Sequence, residues 1–187
     1  MRHIVLVIVL ACACVLGSAL ATFARAADPG TTTTDTSTTD SSAEPSQRDI
    51  QKQIDRYRHA AWHWQRVMGQ PVTLTLASPP AEPTEKIRVW RKVAGRLYAR
   101  AIHPPHLDAW LCIHRYEGSW TDPNPPYYGG LQMDVGFQQT YGRGLLARKG
   151  TANHWTPLEQ IWVAERAYAS GRGFYPWPNT ARACGLL

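Results

Sequence analysis

Apolar residues fall into distinct blocks along this chain, each with its own period. The first is continuous: Ile4 to Ala24 is almost unbroken apolar sequence behind a basic start, Met1-Arg2-His3. Ala24-Arg25-Ala26 then has small-x-small spacing, so residues 1–26 predict a secretory signal peptide cut after Ala26. An uncleaved anchor is the alternative, because a bilayer needs only roughly 20 apolar residues. Residues 27–47 are Thr, Ser, Asp and Pro with no period, which predicts a disordered linker open to O-glycosylation.

Helical periods follow. Ile50, Ile54, Tyr57, Ala61, Trp64 and Met68 recur at alternating steps of four and three, and Gly69 and Pro71 close that helix. Thr84 is expected to cap a second helix with Ile87, Trp90, Ala94, Leu97 and Ala101 on one face. The two are expected to pair as a hairpin across the Pro-rich 71–83 connector. Pro104-Pro105 stops the second helix and starts a third, from about His106 to Glu117, ended by Gly118. Residues 119–126 read as a loop. Residues 127–133 read as short and extended, with Gly129 and Gly130 where another backbone or a ligand comes close. Asp134 is expected to cap a helix over 135–141, and 142–155 to be a loop placed to act as a lid. Thr156-Pro157-Leu158-Glu159 is a capping box opening a helix through Ile161, Ala164 and Tyr168 to Gly171. A loop through Pro176-Trp177-Pro178 and a turn carrying Cys184 finish the chain. The expected class is mainly α with a small β element (α+β): a two-helix basic region, 48–102, ahead of a domain over 103–187.

Charge sharpens that division. The net charge is +6 at pH 7. Residues 48–102 hold eleven Lys and Arg against four Asp and Glu, whereas 103–187 hold seven against six. Solvated helix faces account for much of this, and an anionic cell-wall polymer is a partner such a region would attract. No nucleic-acid motif accompanies the charge, and the export signal argues against nucleic acid. Cys112 and Cys184 are the pair left after signal removal and read as one disulfide in an exported chain. Two Cys without clustered His lack the spacing of a metal site, and no cofactor is expected.

Glu117 is the candidate catalytic residue. Trp110, Ile113 and Glu117 share one helix face. An apolar face and the carbonyl end of a helix both disfavour negative charge there, as a general acid for a glycosidic oxygen requires. A hydrolase also needs a partner to activate water. Asp122, which reads as a loop-forming Asx residue, and Asp134, which reads as a helix cap, are the two on offer. A single acid instead suits an intramolecular route, in which the sugar's own 6-hydroxyl attacks.

Together these residues resemble a known family. Trp110 with Glu117 seven residues on, then Tyr127-Tyr-Gly-Gly-Leu-Gln132, is similar to the resuscitation-promoting-factor-like transglycosylase domains of actinobacteria. Pro157-Leu-Glu-Gln160-Ile-Trp-Val-Ala164-Glu-Arg166 and the C-terminal Trp177-Pro178 followed by a Cys extend the resemblance over about 103–187. It implies a compact lysozyme-like fold, secreted or associated with the cell wall. The implied activity is cleavage of peptidoglycan glycan strands between N-acetylmuramic acid and N-acetylglucosamine, by a monomer. It assigns Glu117 as acid/base, with Tyr127, Tyr128, Gln132 and Gln160 on the substrate; Trp155 and Trp177 join them as candidate groove aromatics. Two features depart from the family. Tyr116 stands where a Cys commonly precedes the Glu, so that Cys112 and Cys184 are each displaced by one helical turn. The loop after Glu117 is shorter, with Gly-Ser-Trp where the family has Ser-Gly-Gly-Asn-Trp. Hydrolysis with an Asp partner and a catalytically silent peptidoglycan-binding module are the rival expectations.

Overall fold

The computed structural model describes residues 46–187. The signal segment and the linker up to residue 45 lie outside the described residues. Seven α-helices and one two-stranded antiparallel sheet make up the described part, in keeping with a mainly helical class with a small β element.

Helix α1 (Gln47–Val67) starts where the Ser46 hydroxyl accepts the Asp49 N–H, and it ends at Gly69, whose φ is +70°. Helix α2 (Pro83–Ala101) starts two residues earlier than expected. Pro83 occupies its first turn and Thr84 makes no cap bond, since proline's fixed φ already suits that position. Ile50, Ile54, Ala61, Trp90 and Ala94 form the apolar seam between them.

The two helices are not a hairpin. Trp64 packs on Tyr98 with ring centroids 5.1 Å apart, and Val67 and Met68 share a cluster with Ala101, so both C-terminal ends lie together. The helices therefore run parallel, and the connector must return along α1. Its 15 residues, 68–82, reach roughly 50 Å when extended, more than the roughly 30 Å of the helix. Hydrogen bonds hold the return path: Trp62 Nε1 donates to Thr73 O at 2.6 Å, and Gln65 exchanges two bonds with Thr73. Trp162 Nε1 donates to Ala101 O at 2.8 Å and seats the pair on the rest of the molecule.

Helix α3 (Leu107–Glu117) and helix α6 (Pro157–Ala167) form the centre of the second core. Glu165 is buried and accepts His106 N at 2.8 Å, His106 Nδ1 at 3.0 Å and Trp110 Nε1 at 3.0 Å. A carboxylate at the amide end of α3 also meets the favourable pole of that helix. Trp110 is fully buried against Phe174 and Trp177, at 4.9 and 5.0 Å between centroids. The capping box of α6 forms as expected. Burial pushes the Glu159 carboxyl up, but Lys149 Nζ at 2.7 Å and the Thr156 donors outweigh it and hold it below the usual range.

Strands β1 (Tyr127–Tyr128) and β2 (Met133–Asp134) pair with Tyr127 opposite Asp134. Helix α4 (Val135–Tyr141) follows, capped by Asp134, whose Oδ1 accepts Phe137 N at 2.6 Å. The expected lid over 142–155 is instead helix α5 (Arg143–Lys149) and a 3-10 turn (Ala152–His154), packed through Leu145, Ala152 and Trp155 into the core. The chain after α6 passes through a π-helical turn (Tyr168–Arg172), and helix α7 (Pro178–Ala183) replaces the expected closing loop.

Candidate active site

Glu117 ends α3, and Gly118 turns the chain away at φ +146°, ψ −163°, a region that is essentially glycine's alone. The disulfide joins Cys112 on the same helix to Cys184 just after α7, with Cα atoms 6.0 Å apart. It aligns the two helices, and one turn from each Cys the Thr180 hydroxyl donates to Glu117 Oε1 at 2.8 Å. Thr180 escaped sequence reasoning. The signal for it was Pro178, a favourable first residue for a helix running toward Cys184.

Glu117 is half-buried and lines a cavity of ≈ 260 Å³ with Tyr127, Gln132, Trp177 and Asn179. A larger cavity of ≈ 500 Å³ shares Tyr127, Gln132, Pro176 and Trp177 with it and continues past Asp134, Phe137, Thr140 and Arg172. The two make one groove with Glu117 toward one end. Trp177 presents one side to the groove while its Nε1 donates to Leu131 O at 2.6 Å. Tyr127 is half-exposed at the rim.

Gln132 is the one described non-glycine residue with a positive φ, +47°. An L-residue there costs roughly 1–2 kcal/mol, and such strain gathers at functional sites. Its side chain offsets it, since Nε2 donates to Asp122 Oδ2 at 2.9 Å and to Gly129 O at 3.0 Å. Asp122 forms the expected Asx turn, accepting Asn124 N at 3.1 Å. The Asn124 N–H and then the Gln132 amide hold its carboxyl below the usual carboxylate range.

Three expected contacts sit elsewhere. Gln160 is fully buried. Its Oε1 accepts Gly130 N at 2.9 Å, and its Nε2 donates to the carbonyls of Trp120, Ala152 and Trp155. It shapes the wall behind the groove and has no free polar atom for a sugar. Trp155 is buried, with Nε1 bonded to Gly150 O at 2.8 Å. Tyr128 packs against the core, because the strand's alternation turns it away from its neighbour Tyr127. The closely approached glycines are explained by side chains. A Cβ on Gly129 would lie 2.5 Å from Gln160 Oε1, and one on Gly130 2.6 Å from both His114 and Trp120. Those two rings stack at 3.8 Å, with His114 Nδ1 donating to Gly130 O.

Among the described residues no cluster of three or more His, Cys, Asp or Glu is placed to hold a metal, and no helix is long and apolar enough to cross a membrane. No family model, curated protein or solved structure compared with this chain matches it.

Proposed function

We propose that this protein cleaves peptidoglycan glycan strands at the bond between N-acetylmuramic acid and N-acetylglucosamine, as a lytic transglycosylase with a lysozyme-like domain and Glu117 as acid and then base. Glu117 donates its proton to the glycosidic oxygen as the bond to C1 breaks. The resulting carboxylate takes the proton of the muramic acid 6-hydroxyl, whose oxygen closes on C1. The products are a free 4-hydroxyl and a 1,6-anhydro sugar. Thr180, through its bond to Oε1, keeps the carboxyl turned to the groove. Tyr127 and Trp177 offer faces for sugar rings, and the Gln132 side chain lies beside the acid.

The observation that carries the proposal is the Glu117 carboxyl at the end of an aromatic groove, lining its cavity with Tyr127, Gln132 and Trp177. Asp134 is engaged as the cap of α4 and Asp122 by Asn124 and Gln132. Neither lines the cavity at Glu117 itself, which is why the intramolecular route is favoured over hydrolysis.

The test is to incubate the full chain, wild type and Glu117→Gln, with peptidoglycan and to analyse soluble fragments by mass spectrometry. Anhydro-muropeptides from wild type, reduced roughly 10²–10⁴-fold in the variant, are expected. Hydrated reducing ends would replace this mechanism with hydrolysis, and Asp122→Asn and Asp134→Asn would then locate the base. Wall binding by both proteins without any fragment would make the chain a silent binding module.

A further inference from the structure

A second cavity, of ≈ 340 Å³, lies where the C-terminal end of α1 meets α4, α5 and α6. Its charged lining is Arg66, Arg143, Arg148 and Arg166, without any Asp or Glu. None of these four is in an ion pair with a carboxylate among the described residues; the pairs that form lie elsewhere. Four like charges around one opening repel one another, and the cavity's lining supplies no counter-charge beyond the carbonyl ends of α1 and α4.

Arg166 is the innermost of the four. It rises from the buried helix α6, and its Nε donates to Tyr141 O at 2.6 Å. Its Nη1 is buried with no hydrogen-bond acceptor. Gly69 makes room for it: a Cβ there would lie 2.3 Å from Nη1. Burial lowers the Arg166 guanidinium to about 10, so it stays charged at neutral pH. The other three guanidiniums are exposed around it. A half-buried cation with one nitrogen shut off from any acceptor, beside three further cations, is an arrangement that gains from an occupant carrying negative charge.

We propose that this cavity binds a phosphate group, with the half-buried Arg166 as the inner counter-charge and Arg66, Arg143 and Arg148 as the outer clamp. Guanidinium forks match tetrahedral oxyanions, and several of them suit the multiple oxygens and charge of phosphate better than a single carboxylate. Free phosphate and the phosphodiesters of an anionic polymer present the same chemistry. The cavity meets the far end of the Glu117 groove at Thr140, but none of its four arginines lines that groove, so the site stands independently of the proposed catalysis.

Thermal unfolding of the full chain tests it, in sodium phosphate against sodium chloride of equal ionic strength, and in parallel with poly(glycerol phosphate). A ligand that binds the native state raises Tm with its concentration. Inorganic phosphate should raise Tm above chloride. Arg143→Gln/Arg148→Gln should require at least tenfold more phosphate for the same shift. Arg91→Gln/Arg96→Gln, which removes equal charge from exposed positions of α2 outside the cavity, should leave the response intact. Arg66→Gln, on the opposite wall, repeats the comparison should the first pair fold poorly. A polymer shift that is lost in Arg143→Gln/Arg148→Gln but kept in Arg91→Gln/Arg96→Gln supports the site with a phosphodiester source, and a shift with inorganic phosphate alone supports it with free phosphate. Equal shifts in phosphate and chloride, or equal losses in the two double variants, would overturn the proposal.

Discussion

Gln160 joins three separate segments through one amide: the loop at Trp120, the turn at Gly130, and the 3-10 turn with its neighbour Trp155. Gln160→Leu keeps the volume but strands a buried N–H and several carbonyls. Each lost partner costs about 1–3 kcal/mol, so a fall of about 3 kcal/mol is expected, or roughly 6–12 °C in Tm by calorimetry. Glu117→Gln should leave Tm almost unchanged, since Glu117 keeps a hydrogen-bond acceptor for Thr180 in either form. At this scale the position of Glu117 at the end of its helix was legible in the sequence, from the Gly that follows it. The role of Gln160 was not. A Gln on an amphipathic helix looks the same whether its amide meets a sugar or four backbone groups, and only burial separates the two.

Helix ends were mostly legible at the scale of elements, because capping depends on neighbours within four residues. The caps at Asp134 and Thr156 formed where expected. Asp134→Ala should lower stability by about 1 kcal/mol, whereas Asp134→Asn, an equally good cap, should lose only tenths; urea unfolding distinguishes them. The misread stretches were 142–155 and the C-terminal tail. Both form helices of seven residues or fewer, Arg143–Lys149 and Pro178–Ala183. Helices this short do not hold by themselves in water and show too little period to announce themselves; Leu145 and Ala181, buried in the common core, hold them.

The disulfide acts on the whole molecule. It closes a sequence separation of 72 and brings α7, with Thr180, Trp177 and Asn179, to the acid. Cys112→Ser/Cys184→Ser should lower stability by about 4 kcal/mol in the chain-entropy model. Activity should fall further than folded fraction alone explains, because one wall of the groove loses its tether to α3. Fragment release measured alongside circular dichroism, at a temperature where the variant remains folded, checks this.

By itself the sequence determined the local features: the periods of α1, α2 and α6, the caps at Asp134 and Thr156, the pairing of two cysteines and the place of Glu117 at the end of α3. These follow from spacing along the chain and from which residue types meet backbone groups a few positions away. The tertiary structure alone decided the parallel run of α1 and α2, the burial of Gln160 and Trp155, the approach of Thr180 to Glu117 and the gathering of four arginines around one cavity. Each of these joins residues far apart in the chain. Their meeting is set by how apolar faces share a core, and no period or local cap encodes that.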